Sequence, residues 1–200
     1  TSVDIQEYSR VLCSALMTEK IAMFDLDRML LGWKNSAKST SLLRVVEPLI
    51  GYEEFCIHKA SLGDLEPLAE LMELGPLVLA FDKAYKNPDL QKVIQETQNR
   101  WKKTLAGEDI KFTTVFYGGV YFSFKQAVAI DALLNGIFSL EAGLRDKFLA
   151  ALLSTVSEIV NTVGKQFAQP IKPKRKDGSL KDKLFSLVDR DRGKDVYSIY

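Results

Sequence analysis

The chain has 200 residues, of which 46% are hydrophobic and 26% are charged, and its formal net charge is +1. This composition fits a globular protein of one domain or slightly more, and it excludes disordered and fibrous chains. Since the sequence contains no run of 18 apolar residues, we expect no membrane-spanning segment.

The chain has few residues suited to metal binding or nucleophilic catalysis. Cys13 and Cys56 are far apart in the sequence and form no CxxC pair, and His58 is the single histidine. We read the cysteines as reduced thiols of a cytoplasmic protein. The GxSxG, Walker, GxGxxG and HExxH motifs are all absent. The sequence therefore predicts no metal site and no catalytic residue.

The N-terminal stretch TSVDIQEYSRVLCSALM has the pattern of a strand, a turn and a helix. Thr1 to Ile5 is short and β-branched, and the residues after it have apolar positions at helical spacing. This is the first half of a βαβ unit. At the end of such a strand Asp4 is placed to accept hydrogen bonds from ribose hydroxyls. The alternative is that Asp4 caps the following helix.

Most of the remaining chain has helical periodicity, and Pro48 should kink or divide the second helix of this series. The stretch around Gly118-Gly119 is predicted to be a hairpin or an extended loop, and the tail VYSIY a strand. The overall prediction is a mainly α chain with a few short strands. The predicted helices run from Asp25 to Lys34, Ser41 to Lys59, Asp64 to Glu73, Asn87 to Leu105, Ser123 to Phe138, Gly143 to Val163 and Leu180 to Asp189.

Several helix starts carry local capping signals. Asn87 precedes a proline that suits the first helical position, and Ser123 with Gln126 forms a capping box. The acids of Asp25-Leu26-Asp27 suit a helix N-terminus better than a phosphatase-like pair. Trp33 and the other aromatic residues are expected in the core, with base stacking as the alternative.

A basic segment, Lys165 to Lys183, follows the longest predicted helix. It has seven basic and two acidic residues, so it carries +5 and the rest of the chain −4. Such a block suits contact with phosphates, and a solvated linker is the alternative. The preceding helix end carries Asn161 and Thr162, followed by Gly164. Amide and hydroxyl groups there suit contact with a phosphate backbone, and ordinary helix termination is the alternative.

Two stretches resemble the bacterial N6-adenine DNA methyltransferases of the Dam-like and restriction-modification class. In that family a phrase like Tyr121-Phe122-Ser123 with Ile130-Asp131-Ala132-Leu133 opens a helix. A second helix ends in a phrase like Asn161-Thr162-Val163-Gly164 and runs into an extended segment. The stretch from Thr1 to Met17 is similar to the family's second strand and following helix, beside the S-adenosylmethionine pocket.

The resemblance covers about residues 1–18 and 110–175, and it implies roles for particular residues. Asp4 and Ile5 would contact the S-adenosylmethionine cofactor, with Asp4 on its ribose. Amides and glycine at the helix end would lie near the target base, and lysines and arginine would contact phosphates. The residues that would face DNA are Asn161, Thr162, Gly164, Lys165, Gln169, Lys172, Lys174, Arg175 and Lys176.

The family's two chemistry-bearing motifs are absent from the chain. The Phe-x-Gly-x-Gly loop that holds the cofactor is expected before Thr1, and the Asp-Pro-Pro-Tyr motif after Tyr200. The resemblance therefore implies the central segment of an adenine methyltransferase, inactive alone. Its partners would be double-stranded DNA and a separately encoded remainder of the enzyme. The alternative is a non-catalytic helical DNA-binding or regulatory module.

This interpretation divides the chain into four parts. Residues 1–18 would be a partial α/β methyltransferase unit, and residues 19–109 a helical region without an assigned role. Residues 110–178 would be a helical target-recognition-like segment with a basic exit. Residues 179–200 would return to the α/β core. The fold would thus be a fragment of an α/β methyltransferase fold with a helical DNA-recognition insertion.

Overall fold

The structure, a computed structural model, describes residues 7–17, 25–104, 112–162 and 169–200. Within these ranges the chain is mainly helical and has no β-sheet, so the mainly α prediction is confirmed. The predicted strand from Thr1 to Ile5 lies outside the described residues, and the α/β methyltransferase unit stays a prediction. The described helices are α1 Glu7–Met17, α2 Leu26–Lys34, α3 Ala37–Ser61, α4 Glu66–Met72, α5 Leu77–Ala80, α6 Pro88–Thr104, α7 Phe112–Phe116, α8 Phe124–Phe138, α9 Ala142–Ile159, α10 Leu184–Arg192 and α11 Val196–Ile199.

The helix starts that carry local capping signals form as predicted. The Asp25 carboxylate accepts from the Arg28 amide at 3.0 Å, which makes it the N-cap of α2. The Asn87 side chain accepts from the amide of Leu90 at 3.2 Å at the start of α6. Both hydrogen bonds of the capping box at Ser123 are present at the start of α8. These starts depend only on groups within three residues of each other, and a sequence pattern is sufficient to find them.

Pro48 was predicted to kink or divide its helix, and the division is wrong, because α3 is continuous through this residue. A proline inside a helix leaves the carbonyl four residues earlier without its usual amide donor, and here that carbonyl belongs to Arg44. The guanidinium of Arg100, from α6, donates to the Arg44 carbonyl at 2.8 Å. A tertiary contact thus replaces the backbone donor that proline lacks.

Replacing Arg100 with methionine should lower the free energy of unfolding by up to about 1 kcal/mol. The loss should be smaller in a Pro48→Ala background, where the new amide of residue 48 donates to the Arg44 carbonyl. Urea denaturation of the four proteins of this double-mutant cycle measures the coupling. Equal losses in the two backgrounds would show that Arg100 does not compensate for Pro48.

The stretch around Gly118-Gly119, predicted to be a hairpin or an extended loop, instead contains the short helix α7, followed by a turn. The carboxylate of Asp131, on α8, accepts from the backbone amides of Thr113 and Thr114 at 3.0 and 2.9 Å. It therefore caps the start of α7 from a different helix. β-Propensity favours a strand here, and this tertiary contact favours the helix.

The helices near the C-terminus also differ from their predicted bounds. α9 ends at Ile159 and not at Val163, because the Asn161 amide leaves the helix and donates to the Tyr121 carbonyl at 2.8 Å. The predicted C-terminal strand is wrong, since its residues form α11. Asp195 caps this helix by accepting from the Ser198 amide at 3.0 Å.

Two apolar clusters form the core, and α8 contributes to both. Phe124 and Val128 pack into the first cluster, which is built mainly from α3, α4 and α6. Leu133 and Ile137 pack into the second cluster, together with residues of α9 and α11. α8 also packs directly against α9. Because α8 is buried on most sides, it fixes the relative positions of the surrounding helices.

Both tryptophans pack within the protein, as expected for core residues. The Trp33 ring lies against Gly136 of α8 and 5.8 Å from the ring of Phe148. Trp101 lies 5.8 Å from the ring of Phe81. These contacts favour the core interpretation over base stacking for both tryptophans, whereas Tyr117, an aromatic residue also expected in the core, is 47% exposed.

Candidate functional site

The basic segment contains a short hairpin, residues 170–183, which we call the basic hairpin. Lys174 and Leu180 face each other in an antiparallel bridge, and the Arg175 amide donates to the Ser179 carbonyl at 2.8 Å. The turn between them includes Gly178, whose φ of +86° is a conformation that favours glycine. Backbone hydrogen bonds therefore hold the tip of this hairpin in one conformation.

The basic hairpin is attached to the helical body through its apolar residues. Ile171 is buried in the first core cluster, and Leu180 packs against the same cluster. Pro170 forms an antiparallel bridge with Thr162, just after α9. Lys172, which lies between the buried Ile171 and Pro173, is exposed. The hairpin thus has an inner side that anchors it and an outer side that carries charge.

Two of the cations predicted to contact phosphates have partners within the protein. The ammonium of Lys174 pairs with Glu66, the first residue of α4, at 3.3 Å and with Glu73, directly after its last residue, at 3.2 Å. The hydrogen bond with Glu73 is the main reason that the pKa of Lys174 is raised. Arg175 pairs with Asp182 at 2.7 Å and donates to the Leu180 carbonyl, so it braces the hairpin itself.

Other predicted DNA-facing residues are exposed. Lys172 and Lys176 have no carboxylate within ion-pair distance among the described residues, and the same holds for Lys183 at the end of the hairpin. Gln169 is exposed just before the hairpin. The predicted sites Asp4, Ile5, Gly164 and Lys165 lie outside the described residues.

Asn161 and Thr162 differ from the expectation that they approach DNA, because both are buried, with 0% and 4% of their surfaces exposed. The Asn161 side-chain amide donates to the Leu187 carbonyl at 3.1 Å and to Asp191 at 3.3 Å. Together with the backbone bond to Tyr121, these contacts join the end of α9 to α8 and α10. In this conformation both side chains are buried, and the side-chain amide of Asn161 has a structural role, whereas the Thr162 hydroxyl and the Asn161 side-chain oxygen have no hydrogen-bond partner among the described residues.

A buried ion pair joins α3 to α10, and the sequence analysis did not predict it. Arg192 pairs with Glu53, and their side chains are 0% and 3% exposed. Arg192 also donates to the Gly119 carbonyl at 2.7 Å, and Glu53 accepts from the Phe124 amide at 2.9 Å. Burial raises the pKa of Glu53, while Arg192 and the Phe124 amide act in the opposite direction.

This ion pair has no signal in the sequence because its members are 139 residues apart. It joins α3, α10, the turn after α7 and the first turn of α8. Each carboxylate oxygen has a hydrogen-bond donor, which a buried charge requires. We therefore assign the Glu53–Arg192 pair to holding these elements together.

A groove of about 360 Å³ lies beside the ion pair, between α3, α8 and the C-terminal helices. Leu43, Ile50 and Val128 contribute apolar surface, and Lys34 and Lys125 contribute cations. Its volume is within the range of small-molecule pockets. Its acidic and basic lining residues are balanced in number, so it favours no particular charge of ligand.

The described part of the chain contains no group of three or more His, Cys, Asp or Glu residues placed to hold a metal ion. Within the same part, no helix is both long enough and apolar enough to cross a bilayer. The basic hairpin is the candidate functional surface because it presents Lys172 and Lys176 to solvent. Comparisons of the chain with protein-family models, with curated proteins and with solved structures give no match.

Proposed function

We propose that this chain is the DNA-contacting helical segment of a site-specific adenine-N6 DNA methyltransferase of a restriction-modification system. The observation that carries the proposal is the basic hairpin, a braced element on which Lys172 and Lys176 are exposed and have no carboxylate partner in the described part of the chain. Lysines presented in this way bind phosphates and fix the register of a protein on a duplex, without reading the base sequence.

The arrangement of the phrases that resemble the methyltransferase family supports treating them as one unit. Tyr121 and Asn161, from two of the phrases, are joined by a backbone hydrogen bond of 2.8 Å. Asp131, from the phrase Ile130-Asp131-Ala132-Leu133, caps α7 next to these two residues. These residues support the position of α8 and α9, and α9 leads towards the basic hairpin. Their proposed role is thus to position the DNA-contacting element.

The chemistry would come from the segments that this chain lacks. Methyl transfer requires the S-adenosylmethionine sulfonium to lie beside a flipped adenine, with the amino nitrogen in line with the methyl group. The glycine loop and the Asp-Pro-Pro-Tyr motif would supply those contacts. In this chain only Asp4 and Ile5 are proposed to touch the cofactor, so the chain alone should neither bind it tightly nor transfer methyl groups.

DNA binding by the purified chain should depend on salt and not on the base sequence. If Lys172, Lys176 and Lys183 each neutralise one phosphate, the slope of log K against log salt should be about −2.7, whereas a fourth contact would give about −3.6. Fluorescence anisotropy with a labelled duplex between 50 and 200 mM salt measures this slope.

The variant K172A/K176A should flatten the slope by about 1.8, because it removes two phosphate contacts. A matched control is K102A/K103A, which removes two exposed lysines at the end of α6, outside the hairpin. The control should leave the slope close to that of the original chain. Equal flattening by both variants would mean that the hairpin is no more than a solvated charged segment.

A second candidate is a helical DNA-binding or regulatory module without chemistry, since the hairpin serves both functions equally well. The two are separated by mixing the chain with a polypeptide that carries the Phe-x-Gly-x-Gly and Asp-Pro-Pro-Tyr segments of such an enzyme. We expect transfer of labelled methyl groups to DNA only in the mixture. DNA binding without transfer in the mixture would favour the module, and transfer by the chain alone would contradict the proposed division of the enzyme.

A further inference from the structure

Lys174 occupies a central position in the basic hairpin, between the exposed Lys172 and Lys176 in the sequence. Unlike them, it is paired with two carboxylates, Glu66 at the start of α4 and Glu73 directly after its end. One cation cannot neutralise two acids, so the position of Lys174 carries a net charge of about −1 between two lysines that have no ion-pair partner among the described residues. A DNA strand that approaches Lys172 and Lys176 therefore meets local repulsion.

We propose that Glu66 and Glu73 hold Lys174 away from DNA and thereby act as a brake on the phosphate-binding surface of the basic hairpin. This inference rests on the proposed DNA-binding function and concerns its regulation. In the resting chain the hairpin offers three phosphate contacts. A fourth contact forms when Lys174 leaves the two glutamates for a phosphate.

Because the side chains of Lys174, Glu66 and Glu73 are partly exposed, breaking their ion pairs costs little free energy. Glu66 and Glu73 are 55% and 45% exposed, and Lys174 is 31% exposed. Ion pairs this accessible to water contribute at most about fivefold to an equilibrium constant. A phosphate can therefore compete for the ammonium without unfolding the hairpin, whose position also depends on the buried Ile171. When DNA makes only weak non-specific contacts, Lys174 stays paired with Glu66 and Glu73. When further contacts hold a duplex in place, Lys174 leaves the two glutamates and binds a phosphate.

The test compares DNA binding by the full chain with binding by E66Q/E73Q, in which the side-chain shapes are kept and the charges removed. The variant should bind a labelled duplex roughly fivefold more tightly at 50 mM salt, and its slope should be steeper by about 0.9. The triple variant E66Q/E73Q/K174A should return to the slope of the original chain, because the added contact is Lys174 itself.

The control E54Q/E141Q removes two exposed carboxylates that have no contact with the hairpin. It should leave the slope unchanged. Equal binding by E66Q/E73Q and the original chain would overturn the brake and leave the proposed function intact. A gain that persists in the triple variant would also overturn it, because the gain would then come from lost repulsion alone. Absence of binding by both the original chain and E66Q/E73Q would overturn the proposed function and the brake together.

Discussion

Arg192→Met should lower the free energy of unfolding by about 3–5 kcal/mol, because it leaves the Glu53 carboxylate buried without its cation. The substitution keeps an unbranched side chain of similar length, so that the loss reports on charge and hydrogen bonding more than on a cavity. It also removes the donor to the Gly119 carbonyl. Urea denaturation followed by circular dichroism measures the loss.

A double variant tests the electrostatic explanation. E53Q/R192M carries no buried charge at either position, and it should recover a large part of the stability lost in R192M. The side-chain amide introduced at position 53 keeps an oxygen that accepts from the Phe124 amide. If the double variant is as unstable as R192M, the loss comes from packing and not from an unpaired carboxylate.

The pH dependence of the stability of R192M tests independently whether the buried Glu53 carboxylate causes the loss. Burial raises the pKa of Glu53, and removing Arg192 removes a cation that lowers it. The folded state of the variant then holds a proton that the unfolded state releases above its ordinary glutamate pKa. Its stability should therefore fall as the pH rises from about 4.5, so the loss should be smaller at pH 5 than at pH 8. E53Q/R192M should lack this dependence.

Gly136→Ala should also have a large effect and should lower the free energy of unfolding by about 1–3 kcal/mol. A Cβ atom at this position of α8 would overlap the ring of Trp33, which packs against the glycine. Alanine is the better helix former by about 1 kcal/mol, so the steric cost must exceed that gain. Trp33 cannot retreat freely, because it also contacts Phe148.

Gly51→Ala provides the matched control. Gly51 lies inside α3, and an added Cβ there has no atom within 4 Å. This variant should be more stable than the original chain by up to about 1 kcal/mol, because only the helix propensity changes. Thermal unfolding of the two variants side by side should show shifts of opposite sign. A stabilising shift in Gly136→Ala would mean that α2 does not pack on α8 as described.

Local rules predicted the parts of this fold whose causes are local. The caps at Asn87 and Ser123 act over two or three residues, so the starts of α6 and α8 were found from the sequence. Helical periodicity likewise predicted α8 and α9, although the predicted end of α9 was too late. The net charge of the basic segment could also be obtained from the sequence, because it requires only a count of residues.

Local rules failed where a distant group supplies the decisive contact. Asp131 caps α7 from 17 or 18 residues away, and a stretch with β-propensity becomes helical. Arg100 supplies the donor that keeps α3 continuous past Pro48. In each case the isolated segment favours another structure, and a hydrogen bond from a separate helix changes the outcome.

The same distinction applies to the candidate site. The sequence alone determined that this is a mainly helical chain with a local block of positive charge, because composition and periodicity require no knowledge of partners. Only the tertiary structure decided which of those charges are available. It buries Asn161, pairs Lys174 with Glu66 and Glu73 and leaves Lys172 and Lys176 exposed. The physical reason is that ion pairing and burial depend on groups that are far away in the sequence, such as Glu73, which pairs with Lys174 at a separation of 101 residues.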